Sequence, residues 1–87
     1  MKKIKVIYYV DMSDNTKGCL MAYPSDKELR NLETIDEIGK VLHEANFGDK
    51  IGISNSVAWE LVYHGSAELS CQMGNYTFGF EEIELFS

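Results

Sequence analysis

The sequence predicts an α+β fold, in which one amphipathic helix packs on one face of an antiparallel sheet of about five strands, in the order β-β-α-β-β-β. Three observations predict it. The N-terminal run Ile4, Val6, Ile7, Tyr8, Tyr9 and Val10 is dense in β-branched and aromatic residues. Ile35, Ile38, Val41, Leu42 and Ala45 follow the three-and-four spacing of one helical stripe. From Ile51 onward, apolar and polar residues alternate with period two, as in strands with one covered face. A length of 87 residues makes one domain, residues 1–87.

The first strand is expected over residues 3–12. Ile4, Val6, Tyr8, Val10 and Met12 share one of its faces. Lys3, Lys5, Ile7, Tyr9 and Asp11 share the other, a mixed set that reads as partly covered, with Ile7 and Tyr9 exposed. Ser13, Asp14, Asn15, Thr16, Lys17 and Gly18 form a turn cluster. Residues 19–23 return as a second strand, which Pro24 ends because proline has no N–H to donate. Residues 25–33 read as an ordered loop with a single helical turn, from the capping-box spacing of Ser25 and Glu28. The helix is expected to start at Thr34, whose spacing to Glu37 is again that of a capping box. Asp36 and Glu37 sit in its first turn, where carboxylates favour the positive end of the dipole. Asp36, Glu37, Lys40, His43 and Glu44 fall on its outer side, and Gly48 is the expected stop.

Beyond Lys50 three strands are expected. Ile51 and Ile53 alternate with Gly52 and Ser54, and Trp59, Leu61 and Tyr63 with Glu60, Val62 and His64, with Asn55-Ser56 as a turn or bulge between them. After a turn at His64, Gly65 and Ser66, the residues Ala67, Leu69, Cys71 and Met73 alternate with Glu68, Ser70 and Gln72. Gly74-Asn75 has the form of a two-residue hairpin loop, and Tyr76, Phe78 and Phe80 then alternate with Thr77, Gly79 and Glu81. Strict alternation past Phe80 would turn Glu82 and Glu84 inward and Ile83 and Leu85 to water. Carboxylates in a core are far too costly. A bulge or bend is therefore expected at Glu81 and Glu82, returning Ile83 and Leu85 to the core face.

The chemistry-bearing residues form no recognised constellation. Cys19 and Cys71 share no metal-type spacing with each other or with His43 and His64. They read as small strand residues kept reduced, although one disulfide would be allowed in an oxidising compartment. No glycine-rich phosphate loop precedes the helix, and no calcium-type loop occurs. Asn75-Tyr76-Thr77 matches a glycosylation sequon, which matters only in a secreted chain. No catalytic, cofactor or metal site is expected, and the chain does not read as an enzyme. Lys5 and Asp11 bound an N-terminal apolar run too short for a secretory signal. No run approaches the ~20 apolar residues of a bilayer span. A cytoplasmic protein without membrane contact is the expectation.

Charge is the informative feature. The net charge of −6 comes from 14 acidic and 8 basic side chains, and it is unevenly placed. Residues 1–50 hold all 8 basic side chains against 9 acids, while residues 51–87 hold 5 glutamates and no base. The glutamates are Glu60, Glu68, Glu81, Glu82 and Glu84, and they are interleaved with Trp59, Tyr63, Tyr76, Phe78, Phe80 and Phe86, which read as core. Glu60, Glu68 and Glu81 would form a flat carboxylate patch on the open sheet face, joined by Glu82 and Glu84 once the bend keeps them out of the core. Lys3 and Lys5 can neutralise part of this patch across strands.

These five glutamates are the candidate partner-binding residues. Direct nucleic-acid binding is opposed by the charge. The expected partner is a protein with a basic surface, such as a nuclease or another nucleic-acid-binding protein. Carboxylates would there stand where phosphates lie, favouring association rate and selectivity. In size, acidity and sheet-plus-helix plan, the chain resembles the small acidic inhibitors that phages and other mobile elements carry against host defence, including anti-restriction and anti-CRISPR proteins. The resemblance implies a non-enzymatic inhibitor of a nucleic-acid-handling protein and names no residues. The alternative is an accessory subunit or homodimeric assembly module, joined through a strand edge and using Ile7 and Tyr9.

Overall fold

The chain runs β-β-α-α-β-β, an α+β fold with a four-stranded antiparallel sheet and two helices in place of the expected five strands and one helix. The computed structural model describes residues 2–72 and 74–85. Its elements are β1 (Lys2–Asp11), β2 (Thr16–Pro24), α1 (Leu32–Glu44), α2 (Ile51–His64), β3 (Ser66–Cys71) and β4 (Gly74–Leu85). The sheet order is β2-β1-β4-β3, so the chain's first and last long strands lie side by side at its centre. Both helices pack on one face of this sheet.

The main correction is α2. Alternation makes residues 51–64 the first of the three expected later strands, with a turn or bulge at Asn55 and Ser56, because Ile51, Ile53, Trp59, Leu61 and Tyr63 occupy odd positions. The buried set is instead Ser54, Val57, Ala58, Leu61 and Val62, which steps by three and four. Such a stripe can face a core only from a helix. Gly65 closes α2 in the left-handed region at φ 82°, its N–H donating to the Leu61 carbonyl.

Helix α1 also differs at its ends. It starts at Leu32, not Thr34. Asn31 is the N-cap, its side-chain oxygen accepting from the Thr34 N–H at 2.8 Å. It stops before Gly48 through Asn46, held at φ 67°. The Asn46 N–H donates to the His43 carbonyl, and the Phe47 N–H to the Leu42 carbonyl at 2.8 Å. This is a Schellman motif with asparagine in the left-handed position. It throws Phe47 back onto the core, where its ring lies 5.0 Å from Tyr9, 4.9 Å from Tyr76 and 5.2 Å from Phe78. The helices meet closely at Gly39, where a Cβ would run into the Asn55 side-chain oxygen.

The β1–β4 pairing decides which sheet face is covered. Ile7 lies opposite Phe80, Tyr9 opposite Phe78 and Asp11 opposite Tyr76. Residues directly opposite share a face, so Ile7 and Tyr9 point at the helices. Ile7 is fully buried, contrary to the expectation that it is exposed. Ile4, Val6, Tyr8 and Val10 occupy the uncovered face. The same register runs without a break from Asp11–Tyr76 to Lys2–Leu85, so the bulge expected at Glu81 and Glu82 is absent. Alternation does turn Glu82 and Glu84 to the helix side. Both stay exposed there, and no carboxylate is buried. The irregularity sits elsewhere: Ile7 pairs with Met21 but Tyr8 with Cys19, which leaves Leu20 as the extra residue of a bulge in β2.

Gly74 and Asn75 belong to β4, opposite Cys71 and Ser70, so they are not the expected two-residue hairpin loop. Met73, counted there as a core position, and Phe86, counted among the aromatics, lie outside the described residues. No helix among the described residues is long and apolar enough to cross a membrane.

Candidate protein-docking surface

The five glutamates do not form one patch. Glu60 lies on α2, Glu68 on β3, and Glu81, Glu82 and Glu84 on β4. Only Glu68, opposite Thr77, and Glu81, opposite Val6, share the open face. Glu60 leaves it because its segment is helical. The Lys17 ammonium donates to the Glu81 carboxylate at 2.8 Å and lies 4.3 Å from the centre of the Tyr8 ring. That hydrogen bond pushes the Lys17 pKa up. The Lys3 ammonium lies 3.4 Å from Glu82 and 3.8 Å from Glu84. Three of the five carboxylates thus have a lysine partner in the same sheet. These pairs are half-exposed and screened by solvent, but they cancel much of the field the tail was expected to project. Among the described residues, Glu60 and Glu68 have no ion pair.

Free acidity lies on α1 instead. Opposite its buried stripe it exposes Glu33, Asp36, Glu37 and Glu44, with Lys40 as its one lysine and no ion pair among them. Glu37 accepts a hydrogen bond from the Tyr23 hydroxyl. Burial, then this carboxylate, pushes the Tyr23 phenol well above the usual tyrosine range. The whole helix-bearing segment, residues 25–65, carries eight acidic against four basic side chains.

Helix α2 exposes a different chemistry. Its charged residues are Glu60 alone, with His64 at its end. Opposite its buried stripe lie Gly52, Ser56, Trp59 and Tyr63. Trp59 and Tyr63, one turn apart, stack with ring centres 4.5 Å apart and planes inclined by 12°. They remain 46% and 42% exposed. The Arg30 guanidinium lies 5.9 Å from the Tyr63 ring. Beside it opens a cleft of about 470 Å³ lined by Lys5, Lys27, Glu28, Arg30, Tyr63, His64 and Phe80. Basic side chains outnumber acids around it, a local reversal of the chain's charge.

This surface escaped the sequence reading for one reason. Trp59 and Tyr63 were assigned to the core because alternation was preferred to the helical stripe. The available signal was the set Ser54, Val57, Ala58, Leu61 and Val62, which leaves those aromatics on the opposite side.

The remaining candidates do not converge. Cys19 and Cys71 are free thiols on β2 and β3, the two outer strands. Three strand spacings, about 14 Å, separate those strands, beyond the reach of a disulfide. Among the described residues no group of His, Cys, Asp and Glu is arranged to hold a metal ion. Compared with family models, curated proteins and solved structures, the chain gives no match.

Proposed function

We propose that this protein is a small, non-enzymatic, protein-binding module that docks through the outer surface of its helix layer. The observation that carries the reading is the exposed Trp59–Tyr63 stack on a nearly uncharged helix. Tryptophan, tyrosine and arginine dominate binding hot spots, because they bury large rigid areas at little entropic cost. Here Trp59, Tyr63 and Arg30 stand together. The acidic side chains of α1 beside them favour a partner with a basic surface. A groove that normally holds nucleic acid is such a surface, and the chain would then act as an inhibitor of the anti-defence kind, of phage or mobile-element origin. The basic cleft near Arg30 adds orientation, since it accepts a carboxylate from the partner while α1 accepts lysines. Glu60 belongs to this surface. Glu68, Glu81, Glu82 and Glu84 lie on the sheet and support it less.

Capture from bacterial lysates tests the proposal. The protein is immobilised, as wild type, as Trp59→Ala/Tyr63→Ala, and as Glu33→Gln/Asp36→Asn/Glu37→Gln. Wild type should retain a nucleic-acid-binding protein at low salt and release it to duplex DNA or to about 1 M salt, where screening acts within about 3 Å. Both variants should lose it. Retention that is indifferent to salt, to DNA and to both variants would remove the proposal. The assembly-module reading has its own supporting observation, on the opposite side of the molecule.

A further inference from the structure

The uncovered face of the sheet has the wrong composition for water. A half-solvated antiparallel sheet normally turns polar side chains outward, and continuous apolar strands belong to sheets covered on both sides. Strand β1 carries large apolar residues on both faces: Ile7 and Tyr9 meet the helices beside Lys3, Lys5 and Asp11, while Ile4, Val6, Tyr8 and Val10 face away from them. Across from these, β4 adds Ile83, 39% exposed, and Leu85, 42% exposed, and β2 adds Ala22 and Pro24. At the same end a cavity of about 580 Å³ opens between Lys2, Ile4, Ala22, Pro24 and Leu85. Apolar side chains grouped on an exposed face in this way point to an interaction site.

We infer that this face joins a second copy of the same chain, sheet against sheet, to make a dimer. Charge selects the occupant. The four strands turn Lys2, Lys17, Glu68 and Glu81 to this face, two of each sign, on a molecule of net charge −6. A strongly basic or acidic partner finds no opposing field there. A second copy meets a neutral face with a neutral face, and the acidic α1 helices end up on opposite sides of the assembly. Area is sufficient. Strands of 10, 9, 6 and 12 residues, at about 3.3 Å per residue and about 4.8 Å between strands, present about 600 Å². Two copies bury about 1,200 Å², the lower end of specific interfaces. Ile4, Ala22, Ile83 and Leu85 form the dry centre, around Val6, which is already buried within its own chain, and the Lys17–Glu81 pair with Tyr8 forms the polar rim.

Sedimentation equilibrium tests this. The monomer mass is 9.9 kDa. Wild type should approach twice that at concentrations around 100 μM, as expected for a small interface. Association should persist at about 1 M salt. Ile83→Lys should weaken association at least about tenfold while keeping the wild-type circular dichroism spectrum. Ala22→Lys, at an exposed position, should do the same and decides the matter if Ile83→Lys does not fold. Trp59→Ala, on the opposite face, should stay dimeric. A monomeric wild type, a dimer retained in both lysine variants, or a dimer lost to Trp59→Ala alone would each overturn the inference.

Discussion

Helices α1 and α2 cover the same core with almost the same length, 13 and 14 residues, yet turn opposite chemistries outward. Five charged side chains mark the exposed side of α1, against Glu60 alone on α2. Burial explains the inner faces of both. The outer faces are under no such constraint, so what they carry reflects what they meet. On α1 that is water or a basic surface. The outer side of α2 carries a stacked, half-exposed aromatic pair.

The largest effects should come from the inner faces, and they should be alike. Ile38→Ala in α1 and Leu61→Ala in α2 each empty a fully buried position and should cost about 2–5 kcal/mol. Denaturant unfolding checks both. A loss at Leu61 much below that at Ile38 would mean that α2 is not anchored as an equal partner.

Next comes the contact between the helices. Gly39→Ala gains helix propensity of about 1 kcal/mol but drives a methyl into Asn55, an overpacking cost of about 1–3 kcal/mol. A net loss near 1 kcal/mol is expected. Asn55 carries a buried side-chain oxygen with no hydrogen-bond partner, so Asn55→Ala should be tolerated and should relieve Gly39→Ala. A double-mutant cycle showing no coupling would contradict the close crossing.

The same contrast explains what was legible. Helix α1 could be read from its sequence because charge outside and apolar stripe inside agree, which is the condition for an unambiguous period. In α2 the apolar residues Ile51, Ile53, Trp59 and Tyr63 lie outside the stripe, and they made a strand pattern out of a helix. Strand β1 and the antiparallel class were legible from residue type. The choice of covered face was not, because β1 carries large apolar residues on both sides and only its pairing with Phe78 and Phe80 settles the matter. The supposed bulge at Glu81 and Glu82 followed from treating every inward position as core, whereas β4 holds those carboxylates exposed. For the docking surface, the acidic residues of α1 are legible on its outer side, but residues 1–50 sum to almost neutral in sequence, and only the fold separates them from the lysines of β1 and β2 on the sheet.

On the outer faces, stability and binding should separate. Trp59→Ala loses a half-exposed ring and its stacking, about 1 kcal/mol, and Glu33→Gln should change stability by less than about 0.5 kcal/mol. Thermal melts of these variants beside Ile38→Ala would show the contrast directly. If Trp59→Ala unfolds the protein as readily as Leu61→Ala does, the aromatic pair is core after all, and its candidacy as a docking anchor ends.

One effect depends on pH and concerns the one α1 carboxylate that the fold does use. Tyr23 is buried and donates to Glu37, and both facts raise its folded-state pKa above the unfolded value of about 10. A raised acid holds its proton more tightly when folded. Its contribution is therefore complete below about pH 10 and is lost as the pH rises through the folded value. Tyr76 shifts in the same direction, chiefly through burial, so alkaline sensitivity should be shared between the two. Tyr23→Phe removes one share. At neutral pH it should be less stable by about 1.5–3 kcal/mol, the worth of a hydrogen bond to a charged acceptor. Between about pH 9 and 11 its stability should then fall less steeply than that of wild type. Urea midpoints across that range decide it: parallel curves would mean that Glu37 is as free as Glu33 and that all of the acidic face of α1 is left for a partner.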